Sequence, residues 1–464
     1  MKQSFSVENL LLIYHYENRK GRYLDKLISD ELHKLSNKLL EINKQINEEK
    51  KKKNNENVPK LYEIKKNILE KKDKILKSEL ENISDNIKNQ KFEFVFQEFE
   101  RNRKVIYTIN EIPETFFVLK KLQYNIKTSF KVKPANRYEI TNQVKNLLDN
   151  NFPKYIIRTD IKSFYESIPH DKLKNKIYKN EILSSFSKKL INKILNNFQK
   201  HTESSRGIPR GIGVSAYLSE IYMQDIDNKI KALPNVTYYA RYVDDIFIIF
   251  TPYHSNEEID YLAKIKNIIE YEGLELNEEK TKEFDLRTPV KHERENDFVL
   301  YSMDFLGYRY YFSNAKKKNL VIGLTHKKKR KYFKKIKLAF KDYTKNSKYN
   351  EKKARKLLVK RIRYLTENTR LLNAKKYIMI GIYFSNPLLN KLDDLKCLDW
   401  YLSKKIDDIQ CYSKLLKENG GHIELDKLKT RLRRFSFEKG FKEKRYCKFT
   451  RDQFNETIKL WKDI

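Results

Sequence analysis

The chain has 464 residues, enough for about three domains of ordinary size and for a sizeable core. Lys and Arg number 98 against 62 Asp and Glu, a formal charge of +36. An acidic disordered chain is excluded, and the expected partner is a polyanion, nucleic acid before an anionic membrane, although an AT-rich coding sequence also enriches Lys, Asn and Ile.

In chain order, residues 1–24 read as a short helix carrying Leu10 to Ile13, with a break at Gly21. Leu32, Leu35, Leu39, Ile42 and Ile46 then step by three and four, and Leu61, Ile64, Ile68 and Ile75 resume after the polar stretch 54–59. Two helices joined by a polar loop predict an antiparallel hairpin. Its tip, Lys50 to Lys53, reads either as a solvated helix end or as a nucleic-acid contact. Phe92, Phe94, Phe96 and then Val105, Tyr107, Ile109 alternate as strands do. A helix to about residue 150 follows, then the apolar strand Tyr155–Asp160, helices to about 200, a Gly-rich turn at 207–213 opening a helix, a hairpin over Val236–Phe250, a helix ending near Gly273, and strands over Asp297–Phe312. After Gly323 the chain is helical and basic: 19 Lys and Arg stand against three acids between His326 and Arg370, with Phe333, Ile336, Phe340 and Tyr343 on one face. A helix pair of that kind suits a phosphate backbone.

Cys397, Cys411 and Cys447 contain no CxxC pair, so neither a zinc knuckle nor a disulfide framework is expected, and a reduced compartment is. No run of about 18 apolar residues occurs and the opening segment is not a signal peptide, so the expected location is cytoplasmic with no membrane partner.

Three acids stand out. Asp160 ends an apolar strand in IIRTDIKSFYESIPH, and Asp244 and Asp245 sit in ARYVDDIFIIF between β-formers. Adjacent aspartates do not suit a strand interior but are tolerated in a hairpin turn, so an ordinary Asp-containing turn is the plain alternative. The chemistry that uses such a cluster is phosphoryl transfer assisted by two Mg²⁺ ions about 3.5–4 Å apart, held by hard carboxylate oxygens. Asp160 and Asp244 can share ions only if their strands lie side by side.

The order of motifs resembles that of the fingers and palm of reverse transcriptases. DIKSFY at 160–165 is similar to motif A, GIPRG at 207–211 running into VSAYL at 214–218 to motif B, YVDD at 242–245 to motif C, LNEEKT at 276–281 to motif D and FLGY at 305–308 to motif E. The resemblance implies an α+β right-hand polymerase: an N-terminal helical extension with the hairpin at 1–90, fingers and palm at 91–325, and a helical thumb with a C-terminal extension at 326–464. It implies RNA-directed DNA polymerase activity with two Mg²⁺ ions and dNTP substrates. Asp160, Asp244 and Asp245, with the Ile161 carbonyl, take the metal positions; Lys280 takes that of a proton donor to pyrophosphate. Tyr165 falls where a ring excludes a ribose 2′-hydroxyl, with Phe164, Arg210 and Gly211 in the nucleotide-binding set. Arg137, Lys131 and Lys133 fall where the fingers hold triphosphate, the arginine through its bidentate fork.

Arg210 stands where many relatives carry Gln, and Ala216 where they carry Pro. These departures point away from group II intron and retroviral enzymes and toward bacterial antiphage reverse transcriptases of the abortive-infection kind. QSFSVENLLLIYHYENRKGRYL at the start and GIYFSNPLL at 381–389 resemble the defence-associated type 3 group. Expected partners are an RNA template or noncoding RNA and the DNA product, and the resemblance leaves room for a second polymerase subunit or a homo-oligomer. An untemplated or protein-primed DNA synthase, an intron-maturase-like RNA-binding protein and an RNA-dependent RNA polymerase are the alternatives. Arg287 to His292 spells a string found in some helical ribonucleases and is read as chance.

Overall fold

Spacing by three and four puts Leu32, Leu35, Leu39, Ile42 and Ile46 on one face of a helix, and a computed structural model of the chain buries all five on α3 (Asp30–Lys51). The structure describes residues 2–52, 56–101, 104–132, 135–150, 152–253, 259–287, 300–313, 320–371, 378–409 and 421–462. Lys53, Lys133, His292 and Cys411 lie outside the described residues. The described residues contain no helix long and apolar enough to cross a membrane. Two compact units form, each assembled from separated stretches: Met1–Pro134, Ile161–Ala232 and Asp260–Asn277 in the first, and Ala135–Asp160, Leu233–Ile259 and Glu278–Ile464 in the second.

The first unit opens with α1 (Val7–Arg19) and α2 (Asp25–Ile28), and the Ser29 hydroxyl caps α3 by accepting from the Leu32 amide. α4 (Asn57–Lys88) returns along α3 as the second arm of the hairpin. The expected stripe on α4 is displaced: Ile64 is 47% exposed, while Leu76, Leu80, Ile83 and Ile87 are buried. Lys72 occupies the seam instead. Its ammonium donates to Asp25 (3.1 Å) and Ser36 (2.6 Å), and the buried Asp25 carboxylate also accepts from Ser36 and Tyr14. A polar position inside an apolar stripe fixes the register of such a pair at a cost in stability. At the tip, Lys50 donates to the Tyr62 hydroxyl at 2.9 Å. β1 (Phe96–Arg101) and β2 (Lys104–Ile109) pair antiparallel. Then follow α5 (Pro113–Ser129), α7 (Phe164–Ser167), α8 (His170–Lys179), α9 (Ser185–Thr202), α10 (Ser215–Lys231) and α11 (Tyr261–Tyr271), with α6 (Arg137–Leu148) belonging to the second unit.

In the second unit four antiparallel strands lie in the order β4 (Val236–Tyr242), β5 (Asp245–Phe250), β3 (Tyr155–Asp160), β6 (Lys282–Asp285). A three-stranded sheet, β7 (Leu300–Phe305), β8 (Tyr308–Ser313) and β9 (Val321–Leu324), shares a core with it and with α6: Val144, Ile156, Phe247, Phe305 and Tyr310 all meet there. A second core gathers on α12 (His326–Thr366) and α13 (Asp393–Asp407), where Ile336, Phe340, Leu358, Ile362, Leu395 and Leu398 are buried. The expected helix pair is present: Asn350, whose φ of −147° and ψ of 87° are not helical, separates two helices within His326–Thr366, and Arg361 of the second pairs with Asp342 of the first.

The region beyond 326 is not wholly helical. β10 (Asn368–Arg370) and β11 (Met379–Gly381) form a small antiparallel hairpin. Asn368 holds it: its Nδ2 donates to the Gly440 and Arg445 carbonyls, and its Oδ1 accepts from the Tyr383 and Phe384 amides. Gly381 (φ 133°) is required because a Cβ there would lie 2.5 Å from Asn368 Cα. Three residues per strand carry too little alternation to be read from sequence.

Lys154, 4% exposed, donates among the described residues to neutral oxygens, the carbonyls of Leu147 and Asn150 and the Asn150 side chain. Burial pushes its ammonium down to about 8. The folded form therefore releases this proton near pH 8 while the unfolded chain holds it to about 10.4, so stability rises with pH between those values. Urea unfolding from pH 7.5 to 10.5 is expected to show that rise, and Lys154→Met to make it smaller; an unchanged slope would refute the assignment.

Candidate active site

In an antiparallel pair, residues directly opposite share a face. β3 and β5 set Asp160 opposite Asp245, and β4 and β5 set Tyr242 opposite Asp245. That leaves a two-residue turn, Val243-Asp244, which places Asp244 beside the other two acids. The three carboxylates each offer an oxygen within 4.8 Å of the others. Asp160 is buried and the other two are half-buried. Tight hairpins favour positive φ at the first loop residue, a position usually given to Gly or Asn. Here it is β-branched Val243 at φ 62°, a strain of order 1–3 kcal/mol. Arg241 Nη1 donates to the Val243 carbonyl at 2.9 Å and helps hold the turn.

Two cations face this cluster. Lys280 Nζ lies 2.7 Å from Asp160 Oδ1, and Arg158 Nη2 lies 2.6 Å from Asp245 Oδ1. Arg158 is paired with Phe247 in the β3–β5 register, so it is the diagonal neighbour of Asp245 on the same face. Its Nη1 also donates to the Lys280 carbonyl at 2.8 Å, and Thr159 and Thr281 share a hydroxyl contact at 2.7 Å, joining motif D to the end of β3. Burial raises the Asp245 carboxyl above the usual carboxylate range; Arg158 opposes the rise, and Asp244 and Asp160 add to it. Arg158 escaped the sequence reading, although a charged residue two positions before Asp160 in an otherwise apolar strand was a visible signal.

The other predicted residues fall in two places. In the second unit Arg137 donates through Nε (2.9 Å) and Nη2 to the Leu306 carbonyl, and its guanidinium lies 5.7 Å from the Tyr308 ring centre. Leu306 (φ 43°) and Gly307 (φ 81°) form the two-residue turn between β7 and β8. Arg137 is thus engaged on the motif E turn. In the first unit Ile161 is buried and bridges Leu276, Phe164 is buried, Lys131 is exposed at φ 52°, and Tyr165 is half-buried with Arg210 near its ring. Arg210 Nε and Nη2 each donate to Glu166 at 3.0 Å. Gly211 (φ 108°) lies against β2, where a Cβ would meet Ile106 and the Tyr107 carbonyl at 2.6 Å.

Three clustered carboxylates offer the hard oxygen donors that Mg²⁺ and Mn²⁺ take, so the residues present fit a divalent ion. Removing one partner of a largely buried ion pair leaves the other charge uncompensated. Arg158→Met is expected to destabilise the fold by about 3 kcal/mol, and Mn²⁺ to raise its melting temperature more than that of the unaltered chain. Equal Mn²⁺ shifts in thermal unfolding would show that Arg158 does not neutralise this cluster.

Residues 68–310, just over half of the chain, match the family described as reverse transcriptase (RNA-dependent DNA polymerase). A search of curated proteins finds no match. Among solved structures, a C-terminally truncated apo telomerase from Candida tropicalis is 15% identical, with 51% of this chain and 55% of that one covered at a TM-score of 0.34. The telomerase of Candida albicans in complex with a TWJ fragment of telomeric RNA is 12% identical, with 79% and 61% covered at 0.37. The chain spans between half and two thirds of the length of these two. With the five motifs in order, an α+β fold and three converging aspartates, the chain belongs to the reverse transcriptase (RNA-dependent DNA polymerase) family, whose fold is the right-hand polymerase.

Proposed function

We propose that the chain is an RNA-directed DNA polymerase that adds dNTPs to a primer hydroxyl with two Mg²⁺ ions, acting in the cytoplasm in bacterial antiviral defence. The observation that carries the polymerase reading is the convergence of Asp160, Asp244 and Asp245 within 4.8 Å in a chain of this family. The defence role draws on Arg210 and Ala216 in motif B and on the stretches at the start of the chain and at 381–389 that are similar to the defence-associated group. In this reading residues 1–90 are an N-terminal extension with the hairpin, 91–325 the fingers and palm, and 326–464 the thumb with a C-terminal extension. RNA serves as template or as a bound noncoding partner.

Asp160 and Asp244, with the Ile161 carbonyl, would hold the ions, and Asp245 completes the acidic set. Bound there, Mg²⁺ would make the primer hydroxyl a better nucleophile and neutralise charge on the phosphates. The primer oxygen bonds to the α-phosphorus as the bond to pyrophosphate breaks. Lys280, already within hydrogen-bonding distance of Asp160, is the nearby ammonium able to give the leaving pyrophosphate a proton. Tyr165 sets the sugar, with Phe164 and Gly211 shaping its surroundings; Lys131 and Arg137 are the cations proposed for the triphosphate.

Asp244→Asn and Asp160→Asn are expected to lower dNTP incorporation on an RNA template on the order of 10³-fold or more, and Lys280→Ala about 10²-fold. Primer extension with labelled dNTPs checks this, and intact synthesis in the aspartate variants would sink the reading. Sequencing the product made with and without added RNA separates templated copying from untemplated or protein-primed synthesis.

A further inference from the structure

We propose that Arg210 and Glu166 form a buttress that fixes the Tyr165 ring and thereby sets how strictly the site prefers deoxyribose to ribose. This rests on the polymerase reading and names the residues that enforce its sugar choice.

Tyr165 and Glu166 are consecutive on α7, a helix of one turn that follows Ser163 in the left-handed region (φ 46°). A single turn has almost no stability of its own, so the ring is positioned by what α7 is tied to. The ties come from the 207–211 loop. The Ile208 amide donates to the Tyr165 carbonyl at 2.7 Å, and the Gly207 amide to the Ile168 carbonyl at 2.8 Å. His170 Nε2 lies within hydrogen-bonding distance of the Gly207 carbonyl. Gly207 (φ 98°) packs so closely that a Cβ would sit 3.2 Å from the Glu166 carbonyl.

Side chains then complete the buttress. The two adjacent Arg210 donors meet the two Glu166 oxygens at 3.0 Å each, a planar fork that fixes orientation as well as distance. The guanidinium carbon lies 5.1 Å from the Tyr165 ring centre, within cation–π range, and Phe164 packs edge-on to the same ring at 5.5 Å. Arg210 is held at its main chain as well: its carbonyl accepts from the Tyr107 amide at 2.7 Å, and Gly211 allows the close approach to β2. A cation anchored in this way has its fork engaged by a carboxylate. The geometry assigns Arg210 to positioning the ring. Sugar discrimination by a ring rests on steric exclusion, so a loosened ring admits a 2′-hydroxyl.

The test measures kcat/KM for dNTPs and rNTPs with Mg²⁺ on one primer–template. Tyr165→Ala should raise the rNTP share; no change there would refute the sugar role of Tyr165 itself. Glu166→Gln and Arg210→Lys, each removing half of the fork, should raise the rNTP-to-dNTP ratio about tenfold, with dNTP kcat in Glu166→Gln moving much less than the ratio. In a Tyr165→Ala background Glu166→Gln should add nothing to the ratio, and the swapped pair Glu166→Arg with Arg210→Glu should recover part of the selectivity. If Tyr165→Ala relaxes selectivity while Glu166→Gln and Arg210→Lys do not, the buttress is wrong and the polymerase reading stands. A higher template KM with steeper salt dependence in Arg210→Lys, at unchanged selectivity, would place Arg210 on template phosphate and overturn the proposal.

Discussion

Antiparallel register is the constraint on which the site depends. With Asp160 opposite Asp245, two carboxylates must share a face, and a two-residue turn must bring Asp244 beside them. Like charges about 5 Å apart repel by about 3 kcal/mol at an effective dielectric of about 20. Three such pairs would be a heavy cost in a domain whose net stability is of the same order. Arg158 and Lys280 offset much of it. Arg158 contributes more, because it is largely buried and rigidly placed, whereas Lys280 is half-exposed and its ion pair is screened by water. The five groups together keep one net negative charge, facing the divalent cations of the proposed chemistry.

The backbone shows where this arrangement is demanding. Val243 in the motif C turn, Ser163 before α7 and Leu306 in the motif E turn all occupy the left-handed region, which non-glycine residues rarely enter. Two of them are over-determined by their neighbours: Val243 by the β4–β5 ladder and Arg241, Leu306 by the β7–β8 ladder and the Arg137 guanidinium on its carbonyl. Arg137 thereby joins α6 to the motif E hairpin, and Lys328, pushed down to about 8 by burial and by Arg137, lies over the same Tyr308 ring.

Much of this was legible in the sequence where periodicity and chemistry agreed. An apolar run marked β3, flanking β-formers marked the β4–β5 hairpin, and an acid at the end of an apolar strand marked Asp160. The requirement that Asp160 and Asp244 share ions demanded neighbouring strands, which the β3–β5 pairing supplies. What escaped depends on partners distant along the chain. Glu166 and Arg210 are 44 residues apart, and nothing local says that the arginine turns toward α7. Ile64 fits the hairpin stripe by spacing but is exposed, and Lys72 takes a seam position that reaches Asp25, a partner 47 residues away. β10 and β11 are too short for any periodic signal, and side-chain hydrogen bonds of Asn368 decide them.

The charge of the chain finds its clearest expression on α12. Its apolar residues are spent on the core, with Ile336, Phe340, Tyr343, Leu358 and Ile362 buried, so most of its lysines are left to the remaining faces. The three acids between residues 326 and 370 each pair with an arginine of the same segment: Asp342 with Arg361, Glu351 with Arg355, and Glu367 with Arg363. The acids that this segment contains are thus committed to its arginines, and Asp394 and Glu456 from other elements pair with Lys329 and Lys360. Cations clustered in this way would displace the counterions condensed on a phosphate backbone, and their release to solvent favours association. The same sequence property that builds the second core from one face therefore leaves the other faces strongly cationic.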